Sequence, residues 1–342
     1  MTKTVIQFTS HKHFRQRLVL ATLSGKSIRI SEIRTDNDQH TGLLDYEASF
    51  VRLLEKVTNG AVIEINYTGT SITYHPGIIM GGTIDHDCPV SRAIGYFIEP
   101  LIVLAPFGKL PLDIYATGIT NDNVDVSVDL IRTVLLPQLV RFGVEDHIEF
   151  KIIKRGASPL GGGKVHMNIP IVRQLKPAQF TDAGLVNRIR GIAYCTRISP
   201  LMANRMQESA RSVLSRFIPD VYIYTDVFKG EESGLSPGYA LSLVAETTNK
   251  AFISTECAYQ LAGDATKQKE GVPASSKILE NNYTFATPED LGITVARQLM
   301  MEIKKGGTVD TISQWLNLTF IALGPEDVGK VRLGSISQFT YM

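Results

Sequence analysis

The sequence predicts an α/β chain of the α+β type, in which repeated two-layer helix-on-sheet units form one body and a smaller α/β domain is inserted among them. Three observations carry this expectation. A chain of 342 residues exceeds what one hydrophobic core usually holds. An amphipathic helix, a glycine or proline stop and then two strands recur, and the stops at residues 60, 143, 219 and 306 lie roughly 75–90 residues apart. That spacing is longer than a solenoid repeat and suits a duplicated domain-sized unit. Finally, loops rich in Gly, Ser and Pro flank the third unit, which marks it as the insertion.

The elements follow in order. "YEASFVRLLEKVT" (46–58) has helical periodicity and ends at Asn59-Gly60, a good C-cap pair. "AVIEINYTGTSITYHPG" then gives two strands around a turn at Thr68-Gly69-Thr70. "VSVDLIRTVLLPQLVRFG" (126–143) is helical up to Gly143, and "HIEFKIIKRGA" pairs with "GKVHMNIPIV" behind it. "MANRMQESARSVLSRF" (202–217) stops at Pro219, followed by strands "VYIYTDVF" and "GYALSLVAET". "PEDLGITVARQLMMEIKK" (288–305) ends at Gly306-Gly307. The loops are "VFKGEESGLSPGYA" and "ATKQKEGVPASSKILENN" (265–282), and the lone Trp315 sits among apolar neighbours as a core residue.

Composition narrows the class. Hydrophobic residues make up 44% and charged residues 20%, as in ordinary globular proteins. No signal peptide is recognisable at the N-terminus, and the apolar run "AIGYFIEPLIVLAPFG" (93–108) is broken by Glu99, Pro100 and Pro106, too soon for a membrane span. Cys88, Cys195 and Cys257 have no metal-like or disulfide-like spacing. The expectation is a soluble intracellular protein with no membrane partner. The net charge of +1 conceals a basic block: residues 151–220 hold twelve Lys/Arg against three acids, a net +9, so the remainder carries −8. Such a block is either a footprint for nucleic acid or an acidic partner, or charge that folding scatters over several faces.

The stretch "RGASPLGGGKVHM" (155–167) resembles a phosphate-binding loop at first sight. A P-loop, however, needs glycine at the place of Ser158 and a hydroxyl at that of Val165, followed by a helix, whereas a strand follows here. Glycines in a hairpin connection also serve positive φ and close backbone approach.

The pattern Arg155-Gly156-x-x-Pro159-x-Gly161-Gly162-Gly163-x-Val165 resembles the signature of the RNA 3′-terminal phosphate cyclase family. "LATLSGKSIRISEIR" (20–34) is similar to that family's first helix and strand, and "SGLSPGYALSLVAE" (233–246) to a stretch of its inserted domain. "VLATLSGK", "DYEASFVRLLEKVTNG", "PGIIMGG", "GYFIEPLIVLAPF" and "VNRIRGIAYCTRISP" resemble the non-catalytic eukaryotic branch rather than the enzymes. The resemblance implies a cyclase-like body at 1–181 and 287–342, an inserted domain at 182–286, and family members that continue beyond Met342.

It also sets a chemical test. The family's enzymes activate an RNA 3′-phosphate with ATP through a histidine that becomes adenylylated, a task for a neutral imidazole. Here the histidines are 11, 13, 40, 75, 86, 147 and 166, and none follows. The family's Thr-x-His-Thr falls on Ser337-Gln338-Phe339-Thr340, so Phe339 stands at the nucleophile's place. The acidic and glycine-rich stretch before the enzymes' first helix is Phe8-Thr9-Ser10-His11-Lys12 here, and their Arg-Gln-His for the RNA terminus is Asp45-Tyr46-Glu47. Carboxylates in place of cations reverse the field a phosphate meets. The resemblance therefore implies no catalytic residue, no cofactor and no metal. It points to a ribosome assembly factor of early small-subunit pre-rRNA processing in the nucleolus, partnered by a ribosome-assembly GTPase and by pre-rRNA or the small-subunit precursor particle.

The candidate anion, RNA or partner contacts are Arg155 and Lys164 beside the glycine run, Arg188, Arg190 and Arg197 in a strand-like stretch, and Lys330 and Arg332. In a strand, Arg188 and Arg190 share a face, open either to phosphates or acidic side chains or to plain solvent. An alternative is a Mg²⁺-dependent endonuclease of pre-rRNA using Asp36, Asp38, Asp45 and Glu47, against which stands a solvated loop entering a helix whose first turn favours acids. His11-x-His13 and Asp85-His86-Asp87-Cys88 contain metal-capable types without forming a complete ligand set.

Overall fold

The structure is a computed structural model that describes residues 5–37, 40–144, 147–259, 287–326 and 329–341. Its first unit runs β1 (Ile6–Thr9), α1 (Phe14–Ser24), β2 (Ile28–Ser31), α2 (Asp45–Val57), a short β3 (Thr58–Asn59), β4 (Val62–Ile65), β5 (Ile72–His75) and β6 (Ile78–Ile79), the last pairing with β3. The sheet order is β1-β2-β5-β4, with β1 and β2 parallel and the other pairs antiparallel. The second unit comprises β7 (Gly82–Asp87), α3 (Ile94–Leu104), β8 (Leu112–Gly118), a helical run, β9 (Glu149–Lys154) and β10 (Gly163–Ile169). That run joins α4 (Val128–Leu130), a π-turn (Ile131–Leu135), α5 (Leu136–Leu139) and a 3-10 turn (Val140–Phe142), and Gly143 at φ 87° ends it. The order β7-β8-β10-β9, again with one parallel pair first, repeats the first unit's topology. The duplication read from the stops at 60 and 143 is thus a repeated fold.

The later stops mark something different. After β11 (Gln179–Phe180) come β12 (Val186–Thr196), α6 (Leu201–Leu214), β13 (Val221–Phe228), β14 (Gly238–Thr247), β15 (Phe252–Ala258) and α7 (Pro288–Lys305). Their sheet has order β13-β12-β14-β15, unlike the repeated units. Helix α7 packs on it beside α6: Leu291, Val295, Ala296 and Leu299 share a buried core with Met206, Ala210, Leu241 and Ile253. The expected boundary at residue 286 therefore separates α7 from the sheet it covers. A helix followed by a glycine stop reads the same in either unit; only its packing partner tells them apart. The expected loop at 265–282 lies outside the described residues. The chain ends with α8 (Gln314–Leu323), β16 (Lys330–Val331), which pairs parallel with β11, and α9 (Gln338–Tyr341).

The body has one continuous core, formed by α1, α2, α3 and the 128–142 run against both repeated sheets, with Leu316 and Phe320 of α8 closing it. The apolar run 93–108 contributes α3, of which every residue is buried. Its one acid, Glu99, is 3.2 Å from Arg15 and accepts a hydrogen bond of 2.6 Å from Trp315 Nε1, so the charge is matched inside the core. Trp315 packs against this core, as its neighbours imply. No helix among the described residues is long and apolar enough to cross a membrane.

Candidate functional site

The glycine loop joins β9 to β10 and is filled by the protein itself. Gly161 and Gly162 have φ of 65° and 78°, a region that strains any residue with a Cβ. Three N–H groups of the loop are donated within the protein. Gly156 N bonds Thr120 Oγ1 at 3.2 Å, Leu160 N bonds Ser236 Oγ at 3.0 Å, and Gly161 N bonds Ala157 O at 2.9 Å. The occupant of the loop is residues 233–236 of the inserted unit: Leu235 N donates to Gly161 O at 2.9 Å, and Gly234 N to Arg155 O. A Cβ on Gly234 would stand 2.3 Å from Gly161 O and 2.7 Å from Arg155 O. Backbones this close leave no room for an anion between them.

Arg155 corrects an expectation. The sequence placed it at the loop's edge, reaching for an anion; the structure places it at 0% exposure. Its Nη1 and Nη2 meet Asp129 at 2.5 and 2.7 Å, and Nη2 also meets Asp226 of β13 at 2.9 Å. The guanidinium lies 4.4 Å from the Tyr194 ring centroid. Burial alone would push its pKa down; Asp129 and then Asp226 outweigh that and raise it. The residue ties the body to the inserted sheet. Other ties are Ser127 N to Glu256 at 2.9 Å, the Asn123 side chain to both backbone groups of Ala258, and Ser254 N to Asp310 at 3.1 Å. Sequence reasoning missed Asp129, Asp226, Glu256 and Asp310, because each is an ordinary acid until its partner from the other unit is known. Burial pushes Asp310 up to about 6.

The other candidates do not converge. Lys164 is half-buried at the start of β10, its ammonium 5.3 Å from the Tyr115 ring centroid. Arg188 and Arg190 lie on β12 with their side chains on one face, but each has a carboxylate: Glu246 at 2.6 Å for Arg188, and both oxygens of Asp220 at 2.7 and 2.8 Å for Arg190. Hydrogen bonding from Arg190 holds Asp220 below the usual carboxylate range. Arg197 Nε donates to Gly234 O and thereby braces the loop that fills the glycine run. Lys330 and Arg332 are exposed, with no ion pair among the described residues. Phe339 lies in α9; its side chain is outside the description.

Two carboxylates of the alternative reading are occupied too, whereas Asp36 is exposed and accepts from Thr35 Oγ1 at 3.4 Å. Both oxygens of buried Glu47 are held by Arg34 at 2.7 and 2.8 Å, and one also accepts from Leu44 N at 3.0 Å in a capping box. Asp45 accepts from Ser91 Oγ and Tyr46 N. Asp38 lies outside the described residues. His11 and His13 flank the entry to α1, and burial lowers the pKa of both. His86 is buried against Phe97, 3.1 Å from Ser49 Oγ, and its pKa is pushed down to about 4 by burial and then Lys56. Among the described residues no three His, Cys, Asp or Glu side chains are placed to hold a metal.

The chain is similar to known proteins over nearly its whole length. The family model described as RNA 3′-terminal phosphate cyclase matches residues 6–342. The chain is 52% identical over 337 residues to a probable RNA 3′-terminal phosphate cyclase-like protein of Dictyostelium discoideum, spanning 98% of this chain and 88% of that one. It is 49% identical over 336 residues to the RNA 3′-terminal phosphate cyclase-like protein of Homo sapiens, covering 98% and 85%. Against the rRNA processing protein RCL1 of Saccharomyces cerevisiae the identity is 41% over 327 residues, covering 95% and 83%.

Proposed function

This chain belongs to the RNA 3′-terminal phosphate cyclase family, and from that premise we propose that it is a non-enzymatic ribosome assembly factor. It acts in early small-subunit pre-rRNA processing in the nucleolus, docking a ribosome-assembly GTPase and the pre-rRNA of the precursor particle. The observation that carries this reading is the missing nucleophile: no histidine follows His166, and phenylalanine stands in the motif where the family's imidazole belongs. A benzyl ring has no lone pair with which to attack a phosphate. Two further features support it. The glycine loop is filled by the chain's own residues 233–236, and relatives carry names of rRNA processing proteins.

Lys330 and Arg332, exposed cations with no ion pair among the described residues, are the docking point we propose for the GTPase. The test is capture of the purified GTPase by this chain and by its Lys330→Glu/Arg332→Glu variant. Capture that is lost on charge reversal and weakened by salt supports the reading; capture indifferent to both contradicts it.

A further inference from the structure

The inserted sheet has two contrasting ends on one face. Along β12 and β13 the side chains at 190, 192 and 194 and at 222, 224 and 226 point the same way, since Arg190 is in register with Tyr222, Ile192 with Tyr224, and Tyr194 with Asp226. At one end the body covers this face: Tyr194 is 1% exposed beneath Arg155. At the other end nothing among the described residues covers it, and Tyr222 and Tyr224 are 61% and 54% exposed. Their opposite-facing neighbours Val221 and Ile223 are buried, so the strand is anchored and the two rings are held outward by it.

Two large rings on alternate positions of an edge strand stand roughly 7 Å apart, on a rigid support. Arg190 lies beside Tyr222 across the strand pair, with Arg188 one position back on the same face. The turn leading into β13 adds exposed Arg216 and Phe217. The carboxylates of Glu246 and Asp220 fix the planes of the two guanidiniums without covering them; the Arg190 side chain keeps 34% of its exposure. Outward aromatic rings and exposed guanidinium planes on an open sheet face are the elements that stack unpaired bases.

We propose that Tyr222 and Tyr224, framed by Arg188 and Arg190, are a stacking platform for single-stranded RNA. The proposal rests on the assembly-factor reading only in choosing RNA as the ligand. It is tested with the full chain and a short fluorescein-labelled oligouridylate, by anisotropy at two salt concentrations. The wild type binds the single strand better than a duplex of equal length, whose bases are stacked on one another. Tyr222→Ala/Tyr224→Ala weakens binding by about tenfold or more per ring, while Tyr222→Phe/Tyr224→Phe, which keeps the rings, retains affinity. A folded alanine variant that binds like the wild type, or a wild type that ignores the oligonucleotide at low salt, overturns the platform. Either result leaves the GTPase capture assay unaffected, so the two readings fail separately.

Discussion

Arg155 and Arg190 stand close in the sequence, and each is gripped by an aspartate through two N–H···O bonds. One lies at the seam between body and inserted sheet with no solvent exposure; the other lies on the open end of that same sheet. The same side-chain pair is a strut in the first place and a surface feature in the second. What separates them is the dielectric around the pair: removing one partner at the seam strands a charge away from water, whereas at the open end water takes its place.

The comparison breaks most visibly at Asp129. Asp129→Asn leaves Arg155 undercompensated in the seam, and the expected cost is about 3–5 kcal/mol in denaturant unfolding. A loss under about 1 kcal/mol, the range of exposed pairs, would erase the distinction between the two sites. Gly234→Ala sharpens it next. The new methyl must displace the Gly161 and Arg155 carbonyls, for an expected loss of about 1–3 kcal/mol in thermal or denaturant unfolding.

A third effect is a pH dependence at the seam. Burial raises the Asp310 carboxyl from 3.8 in the unfolded chain to about 6. Between those values the unfolded chain has released its proton and the folded chain still holds it, so stability falls as pH rises from about 4 to 6 and levels off above. His86, pushed down to about 4, contributes the opposite slope in the same window, so the Asp310 effect is read as a difference: unfolding midpoints of the wild type should fall relative to those of Asp310→Asn as pH rises from about 4 to 6. The smallest effect belongs to the open end: Arg190→Ala should leave the thermal midpoint unchanged within error while weakening oligouridylate binding.

Much of this fold is legible in the sequence, for local reasons. Helix periodicity with Asn59-Gly60, Gly143, Pro219 and Gly306-Gly307 as stops locates α2, the 128–142 run, α6 and α7 within a few residues. The assignment of α7 to the inserted sheet was not legible, because a buried helical stripe does not name the sheet it will meet. Nor was α3, where an apolar run broken by Glu99 and Pro100 showed only what it was not. The candidate site divides along the same line. The phenylalanine at residue 339 is a matter of residue type and can be read from the chain once the resemblance supplies the motif it is compared with. The fate of Arg155 depends on Asp129 and Asp226, the latter contributed by another unit. Arg188 and Arg190 share a face as strand alternation predicts, but their carboxylates come from β14 and the turn before β13, which only the register reveals.

The central claim is that a nucleotidyl-transfer scaffold survives here without its chemistry. It is tested most directly by incubating the purified chain with α-labelled ATP, Mg²⁺ and a 3′-phosphorylated RNA, then resolving protein from nucleotide under denaturing conditions. The account predicts no label on the polypeptide and no 2′,3′-cyclic phosphate on the RNA. Adenylate bound covalently to the chain, at any residue, would contradict it.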